Sequence, residues 1–307
     1  MDVLTDLLER ARARGAGFSH STVRGPFGLR FPAVPGLAVH LVVEGELRMW
    51  TDEPGHSERL IGGDLILVKR GLEHHLATSP EERLVPLRDF METARVSDRF
   101  FSTGEGAETS VFLCGAYLFE GDICTQLLAM LPETIRLRPA AGSTLRTTLD
   151  LLAREMERDE PGQQTLLDRL LDVALVQSLR EHFAAAEAPA WYRASGDPQL
   201  RSALHAVHAD PARPWTVESL AAEASLSRAA FARRFTAALG VAPLSYVTGW
   251  RMALAREQLR ESDDQIAAVA SALGYASEFS FAAAFKRHHG LAPGKWRHQA
   301  HLASATS

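Results

Sequence analysis

A stretch of 24 to 25 residues occurs twice in the last third of the chain, and this repeat limits the fold more than any other feature. LAAEASLSRAAFARRFTAALGVAP begins at Leu220, and VASALGYASEFSFAAAFKRHHGLAP begins at Val269. Leu220-Ala221 aligns with Val269-Ala270 at an offset of 49. One extra residue in the second copy then makes the offset 50, so that Ser227, Phe231, Phe235, Gly240 and Pro243 fall on Ser277, Phe281, Phe285, Gly290 and Pro293.

Each copy reads as a helix-turn-helix. A short helix, about Val217 to Ala224 in the first copy, ends in a tight turn. Ser227 then stands where a hydroxyl can accept from the unpaired amides of the next helix. Phe231, Phe235 and Leu239 recur at i, i+4 and i+8 and pin that helix to a core. Gly240 stops the helix and Pro243 opens the next. Ser277, Phe281, Phe285, Gly290 and Pro293 repeat the pattern. With one face buried, the other is free to enter a major groove. It offers Ser227, Arg228, Ala229, Ala232 and Arg233 in the first copy. In the second it offers Ser277, Glu278, Phe279, Ala282 and Ala283, with Lys286 and Arg287 further on. Arginine pairs bidentately with guanine, and Ala or Phe touches thymine methyl groups. Arg234, Lys286 and Arg287 are expected to meet phosphates, which give affinity without reading sequence. PLSYVTGWRMALAREQLRES, from Pro243, joins the copies as one helix of about 17 residues, roughly 25 Å long. That length suits two recognition helices about one DNA turn, near 34 Å, apart.

The net charge of −5 argues against nucleic acid as a partner until it is divided along the chain. From Asp197 to Ser307 there are twelve Lys and Arg against nine Asp and Glu, a surplus of three positive charges. Residues 1–196 carry 21 against 29, or −8. Opposite signs on the two parts fit a separate DNA-binding end. The N-terminus, MDVLTDLLERARARG, is a charged amphipathic segment without a signal peptide's apolar centre, and no run reaches the ~18 apolar residues of a membrane span. Two cysteines, Cys114 and Cys124, are too few for a disulfide scaffold. These features together predict a cytoplasmic protein.

Residues 18–118 alternate apolar and polar side chains in short runs, such as LAVHLVVEGELRMW and TSVFLCGAYLF, punctuated by glycine. They predict strands in a small barrel or sandwich. From 143 to 183 the period becomes helical, with stripes Leu145–Leu149–Leu152–Met156 and Leu167–Leu170–Leu171–Leu175–Leu179 on either side of Pro161-Gly162. This helical hairpin would cover the sheet or form a homodimer interface. Residues 184–196, rich in Ala with a Pro and a Gly, read as a linker. The expected organisation is α+β: a sensor and dimerisation domain at 1–183, a linker at 184–196, and an all-α double helix-turn-helix domain at 197–307.

The region from about Pro198 to Ala300 resembles the DNA-binding domain of the AraC/XylS family, through LAAEASLSRAAFARRF, WRMALAREQL and ALGYASEFSFAAAFKRHHGLAPGKWR. The resemblance implies a transcription regulator with double-stranded operator DNA as partner, and RNA polymerase too if it is an activator. It also implies base contacts from Ala229, Ala232 and Arg233 in the first unit and from Glu278, Phe279 and Ala282 in the second. The family usually has Arg before its second conserved Phe, where this chain has Ala283, so the second unit is expected to contribute less.

GDLILVKRGLEHHL, from Gly63, resembles a cupin motif through Gly63, Asp64, Gly71 and His74, with Lys69 where the motif has Pro. VHLVVEG, with His40 and Gly45, resembles a first cupin motif. CGAYLF followed by LLAMLPETIRL looks like the cupin-type sensor domain of some AraC-like regulators, which implies an N-terminal cupin-like β-barrel. His40, His74 and Cys114 lie on three predicted strands. Two imidazoles and a thiolate would suit Zn²⁺ or another transition metal, with His75, His20 or water as fourth ligand. Three other readings stand beside this one: structural histidines with a buried thiol, a redox sensor using Cys114 and Cys124, and a small-molecule pocket. The rival function is a metal-dependent cupin enzyme with an appended DNA-binding domain. Its usual ligand set is incomplete here: Glu44 follows His40 by four, but Ala38 stands where the other His would be.

Overall fold

A computed structural model of the chain describes residues 4–5, 18–51, 56–117, 131–158, 160–185 and 188–305. These residues divide into two compact units: 18–51, 56–117, 131–158 and 160–185 form one, and 188–305, together with residues 4–5, form the other. The predicted N-terminal segment 1–15 lies almost wholly outside the described residues, and Cys124 lies outside them too. Among the described residues, no helix is long and apolar enough to cross a membrane.

The first unit is built on eleven strands in two sheets. In chain order the strands are β1 (Ser19–Arg24), β2 (Gly28–Phe31), β3 (Leu37–Glu44), β4 (Glu46–Trp50), β5 (Glu58–Ile61), β6 (Leu65–Val68), β7 (His74–Ala77), β8 (Val85–Pro86), β9 (Phe100–Gly104), β10 (Thr109–Tyr117) and β11 (Thr134–Leu137). The six-stranded sheet runs β11-β6-β3-β10-β1-β9, and the five-stranded sheet runs β5-β4-β7-β2-β8. Val42, Ile66 and Phe112 from one sheet and Leu47, Leu60 and Leu76 from the other share a core. β3 and β6 are apolar at nearly every position because both their faces are covered.

The segment read as strands throughout also contains a short helix, α1 (Leu87–Thr93), after Pro86. Leu87, Phe90 and Met91 carry a helical period there, and Phe90 is the residue it buries. The hairpin consists of α2 (Thr144–Met156), capped by Ser143, and α3 (Gln163–Ala185). Leu145, Leu149, Leu152, Leu167, Leu171 and Leu175 are all buried. The Tyr117 hydroxyl at the end of β10 donates to the Leu171 carbonyl at 2.8 Å. The leucine stripes are thus used within the chain to cover the sheet.

The Gly-Asp pair of the cupin-like motif has a structural role. Asp64 is buried, accepts from the Ile61 amide at 3.2 Å, and is bridged by Arg136 at 2.9 Å and Arg138 at 2.8 Å from the β11 side. A buried carboxylate requires partners of this kind.

The second unit is helical. It comprises α4 (Ala190–Gly196), α5 (Pro198–Ala209), α6 (Val217–Glu223), α7 (Arg228–Leu239), α8 (Pro243–Glu261), α9 (Ile266–Ala272), α10 (Glu278–His289) and α11 (Pro293–Ala305). The stretch read as a linker therefore contains α4. Seven residues with alanine and glycine carry almost no periodic signal, and the helix is held by burial of Trp191 and Ala194. The connecting helix α8 has 19 residues rather than about 17, so it spans about 28 Å. Trp250 on α8 lies 4.2 Å, ring to ring, from His208 of α5, whose Nε2 meets the Tyr246 hydroxyl at 2.9 Å. Arg251 donates to the carbonyls of Pro211 at 2.6 Å and Arg213 at 2.8 Å, which fixes the loop between α5 and α6.

Candidate nucleic-acid interface and sensor cavity

Both recognition helices form as the repeat predicts. Ser227 accepts from the Ala230 amide at 3.3 Å and Ser277 from the Ser280 amide at 3.2 Å, so each hydroxyl is used as a cap. Phe231, Phe235, Phe281 and Phe285 are buried. Within each helix their rings pair at 5.3 Å and 5.7 Å between centroids. Gly240 at φ 74° and Gly290 at φ 79° close the helices in the left-handed region. Burying these phenylalanines turns the opposite face outward. On α7 that face exposes Arg228, Ala229 and Arg233, with Ala232 half-buried; on α10 it exposes Glu278, Phe279, Ala283, Lys286 and Arg287, with Ala282 half-buried.

The cations differ in what already holds them. Arg228 reaches back to Glu218 of α6 at 3.2 Å, an exposed pair that stabilises little and can be exchanged for a ligand. Arg234, read from the sequence as a phosphate contact, is exposed and paired within the chain. It binds Asp197 at 2.6 Å and Gln199 at 2.7 Å, and Asp197 in turn caps α5. Asp197 stands 37 residues from Arg234, too far apart in sequence for a local pattern to show the pair.

In the first unit the structure brings His40, His74 and Cys114 together. Cys114 on β10 and His40 on β3 are direct cross-strand partners, and β7 supplies His74 from the other sheet. All three are buried. His40 Nδ1 lies 2.7 Å from Cys114 Sγ, and His40 Nε2 lies 2.7 Å from His74 Nε2. His74 Nδ1 faces the Leu72 carbonyl at 3.4 Å. That carbonyl only accepts, and with His74 Nδ1–H assigned to it one self-consistent set of tautomers follows. His74 Nδ1–H donates to Leu72, His40 Nε2–H donates to His74, and the Cys114 thiol donates to His40 Nδ1. Each heteroatom is satisfied with all three groups neutral.

The electrostatics agree. Burial holds His40 well below the ordinary imidazole value and brings His74 down to about 4, while it pushes the Cys114 thiol well above its usual value. A histidine whose folded pKa is depressed is neutral when folded and takes up a proton on unfolding. The cluster's contribution to stability is therefore complete above about pH 6.5 and declines as the pH falls toward 4.

This arrangement does not fit a metal ion. His40 spends its two nitrogens on different neighbours, so the three side chains form a row instead of converging on a point. Among the described residues no group of three His, Cys, Asp or Glu is placed to hold a metal. The suggested fourth ligands stand elsewhere: His75 alternates to the opposite side of β7 and stacks on Trp50 at 5.2 Å, and His20 packs on Phe100 at 5.3 Å; Glu44, weighed for the rival enzyme's ligand set, is exposed. Burial pushes the Cys114 thiol upward, and Cys124, the other cysteine of the redox reading, lies outside the described residues.

The row forms one wall of a pocket of about 480 Å³ inside the first unit. Phe18, Phe31, Val34, Leu87, Met91 and Phe101 supply most of the remaining lining, with Arg99 and Gln164, hydrogen-bonded to each other, among its polar groups. Phe31 stacks on His74 with centroids 5.0 Å apart. Sequence reasoning missed these residues. Leu87 and Met91, at i and i+4, carried the only local signal, and it marked a helix without marking a pocket.

Comparison with known proteins decides the family. The Cupin family matches residues 2–184 and the Helix-turn-helix domain family matches residues 220–299. "HTH-type transcriptional regulator AlkR" of Acinetobacter baylyi is 28% identical, with 97% of this chain and 100% of that protein covered. A "Putative AraC-like transcription regulator" of Streptomyces lividans is 32% identical, with 97% of this chain and 98% of that protein covered. This chain belongs to the AraC-like transcription regulators. Its N-terminal unit is that regulator's cupin domain and its C-terminal unit carries the AraC-type helix-turn-helix pair. Among solved structures, the DNA-binding domain of AdpA in complex with a target DNA is 30% identical, covering 36% of this AraC-like chain and 99% of that one with a TM-score of 0.34.

Proposed function

We propose that this AraC-like regulator binds operator DNA in two successive major grooves through α7 and α10, and that a small molecule in the cupin pocket sets its DNA affinity. The observation that carries the reading is the duplicated geometry: two capped 12-residue helices with phenylalanines buried on one side and a continuous exposed face on the other. In the proposed complex Ala229, Ala232, Arg233, Glu278, Phe279 and Ala282 face base edges. Ser227, Arg228, Ser277, Lys286 and Arg287 line the backbone. On this reading the boundary between sensing and DNA-binding parts falls near residue 187, with α4 on the DNA-binding side.

The pocket favours a mostly apolar ligand whose polar groups meet the Asp98, Arg99 and Gln164 side of the lining. Its walls are aromatic and aliphatic, and burial keeps its two histidines neutral. The satisfied Cys114–His40–His74 row speaks for sensing by occupancy over catalysis at a metal, so we read the chain as a regulator and not an enzyme, acting in the cytoplasm. A homodimer would use the outer face of the hairpin, where Leu151, Leu166 and Val173 are each 44% exposed. RNA polymerase is a second partner if the regulator activates.

Selection of bound DNA from random duplexes by the full-length protein tests the reading. The expected product is a site with two conserved blocks about one helical turn apart, near 34 Å. Absence of any sequence preference, with and without cell extract to supply an inducer, overturns it.

A further inference from the structure

At an offset of 50 the two recognition helices place different chemistry at equivalent positions. Ala229 on α7 corresponds to Phe279 on α10, and Arg233 corresponds to Ala283. The first unit thus presents a guanidinium where the second presents a methyl group, and a methyl group where the second presents an aromatic ring. Phe279 is 85% exposed, the most exposed large apolar side chain among the described residues. It lies in the first turn of α10, directly after Glu278, the part of a recognition helix that meets base edges. Its ring is not needed by the fold, because Phe281 and Phe285 are the aromatic side chains this helix buries.

We propose that Phe279 reads the 5-methyl group of a thymine, so that the half-site under the second unit is specified by apolar contact and that under the first by arginine. This rests on the DNA-binding reading above and adds the base to be recognised. A phenyl ring has neither donor nor acceptor, so it is blind to the hydrogen-bonding edges of the major groove. The one feature there that it can distinguish is the thymine methyl. Its neighbour Glu278 is an acceptor that suits the amino group of cytosine and repels phosphate, so the first turn of α10 is built for bases. Lys286 and Arg287 in the last turn supply the backbone attraction. On α7, Ala229 leaves room for the approach that brings Arg233 to a guanine edge. The operator is therefore asymmetric, with guanine in one block and thymine in the other.

The test uses the full-length protein and its selected operator. Each thymine in the second block is replaced in turn by deoxyuridine, which deletes the methyl and keeps base pairing, and Kd is measured by fluorescence anisotropy. At one position uracil should weaken the wild-type protein about fourfold, the effect of one buried methyl group. Phe279→Ala should weaken binding to thymine DNA by a similar factor and lose all sensitivity to uracil there, while Phe279→Leu keeps part of it. Sequence-selective binding that ignores uracil at every position, or equal sensitivity in wild type and Phe279→Ala, overturns the proposal and leaves the DNA-binding reading standing. Failure to select any operator overturns both.

Discussion

In the first helix-turn-helix unit the turn residue with a left-handed backbone is Ser225, at φ 52°; in the second it is Gly274, at φ 78°. The two occupy the same place in the repeat, yet only one requires glycine. A Cβ on Gly274 would stand 2.0 Å from the Ala212 carbonyl oxygen. The same tolerance governs the outward faces. Caps, buried phenylalanines and closing glycines coincide in both units, while Ala229 and Arg233 give way to Phe279 and Ala283. A duplicated scaffold constrains the residues that hold backbone and core. It leaves open those that point at a ligand.

The claim of equal scaffolds is broken most easily at the core. Phe231→Ala and Phe281→Ala each remove a ring that is 0% exposed, and each should cost about 3–5 kcal/mol in chemical denaturation. A large cost in one unit with a small one in the other would mean that the units are packed differently despite their pattern. The turns should behave oppositely. Gly274→Ala combines the left-handed penalty with a backbone collision and should cost about 3 kcal/mol. Ser225→Gly should stay within about 0.5 kcal/mol of wild type, since relief of the left-handed strain offsets the added freedom of the unfolded chain.

The helix-turn-helix pair is legible in the amino-acid sequence because each unit is specified locally. Cap, anchor, stop and restart lie within a 24-residue window, and each type of residue has a separate physical reason to be there. The sensor cavity depends on distant pairings. Cys114 and His40 are 74 residues apart and meet through strand register, and His74 arrives from another sheet. The cupin resemblance is enough to place the three together. It does not show which nitrogen of His40 faces which neighbour, and that detail turns three potential ligands into a neutral hydrogen-bonded row. The helix inside the supposed linker is hidden for a related reason. Trp191 stabilises α4 through packing on other helices, while the sequence around it reads as alanine-rich coil.

At the reading surface the comparison is sharpened by swapping a single side chain. Arg233→Ala should weaken binding to the selected operator by about tenfold and relax selectivity at one position of the first block, the usual scale for a bidentate guanine contact. Ala283→Arg places the guanidinium at the equivalent point of α10, where it should create a new guanine preference in the second block. If Ala283→Arg changes only the salt dependence of binding, the side chain meets phosphate there, and the two helices enter their grooves at different angles.

The smallest effect tests whether the two caps are equivalent. Ser227→Ala and Ser277→Ala each remove a hydroxyl that accepts one helix amide, and each should cost about 1 kcal/mol in thermal or chemical unfolding. The second cap has an extra participant. Ser277 donates from its own hydroxyl to Ser280 Oγ at 3.2 Å, and Ser280 donates to the Ser277 carbonyl at 2.8 Å. Ser280→Ala should therefore weaken the second unit by a few tenths of a kcal/mol, and its counterpart Ala230→Ser should leave the first unit nearly unchanged. Matching losses from Ser277→Ala alone and from Ser277→Ala with Ser280→Ala would show that the second serine contributes nothing. The caps would then be as interchangeable as the repeat makes them look.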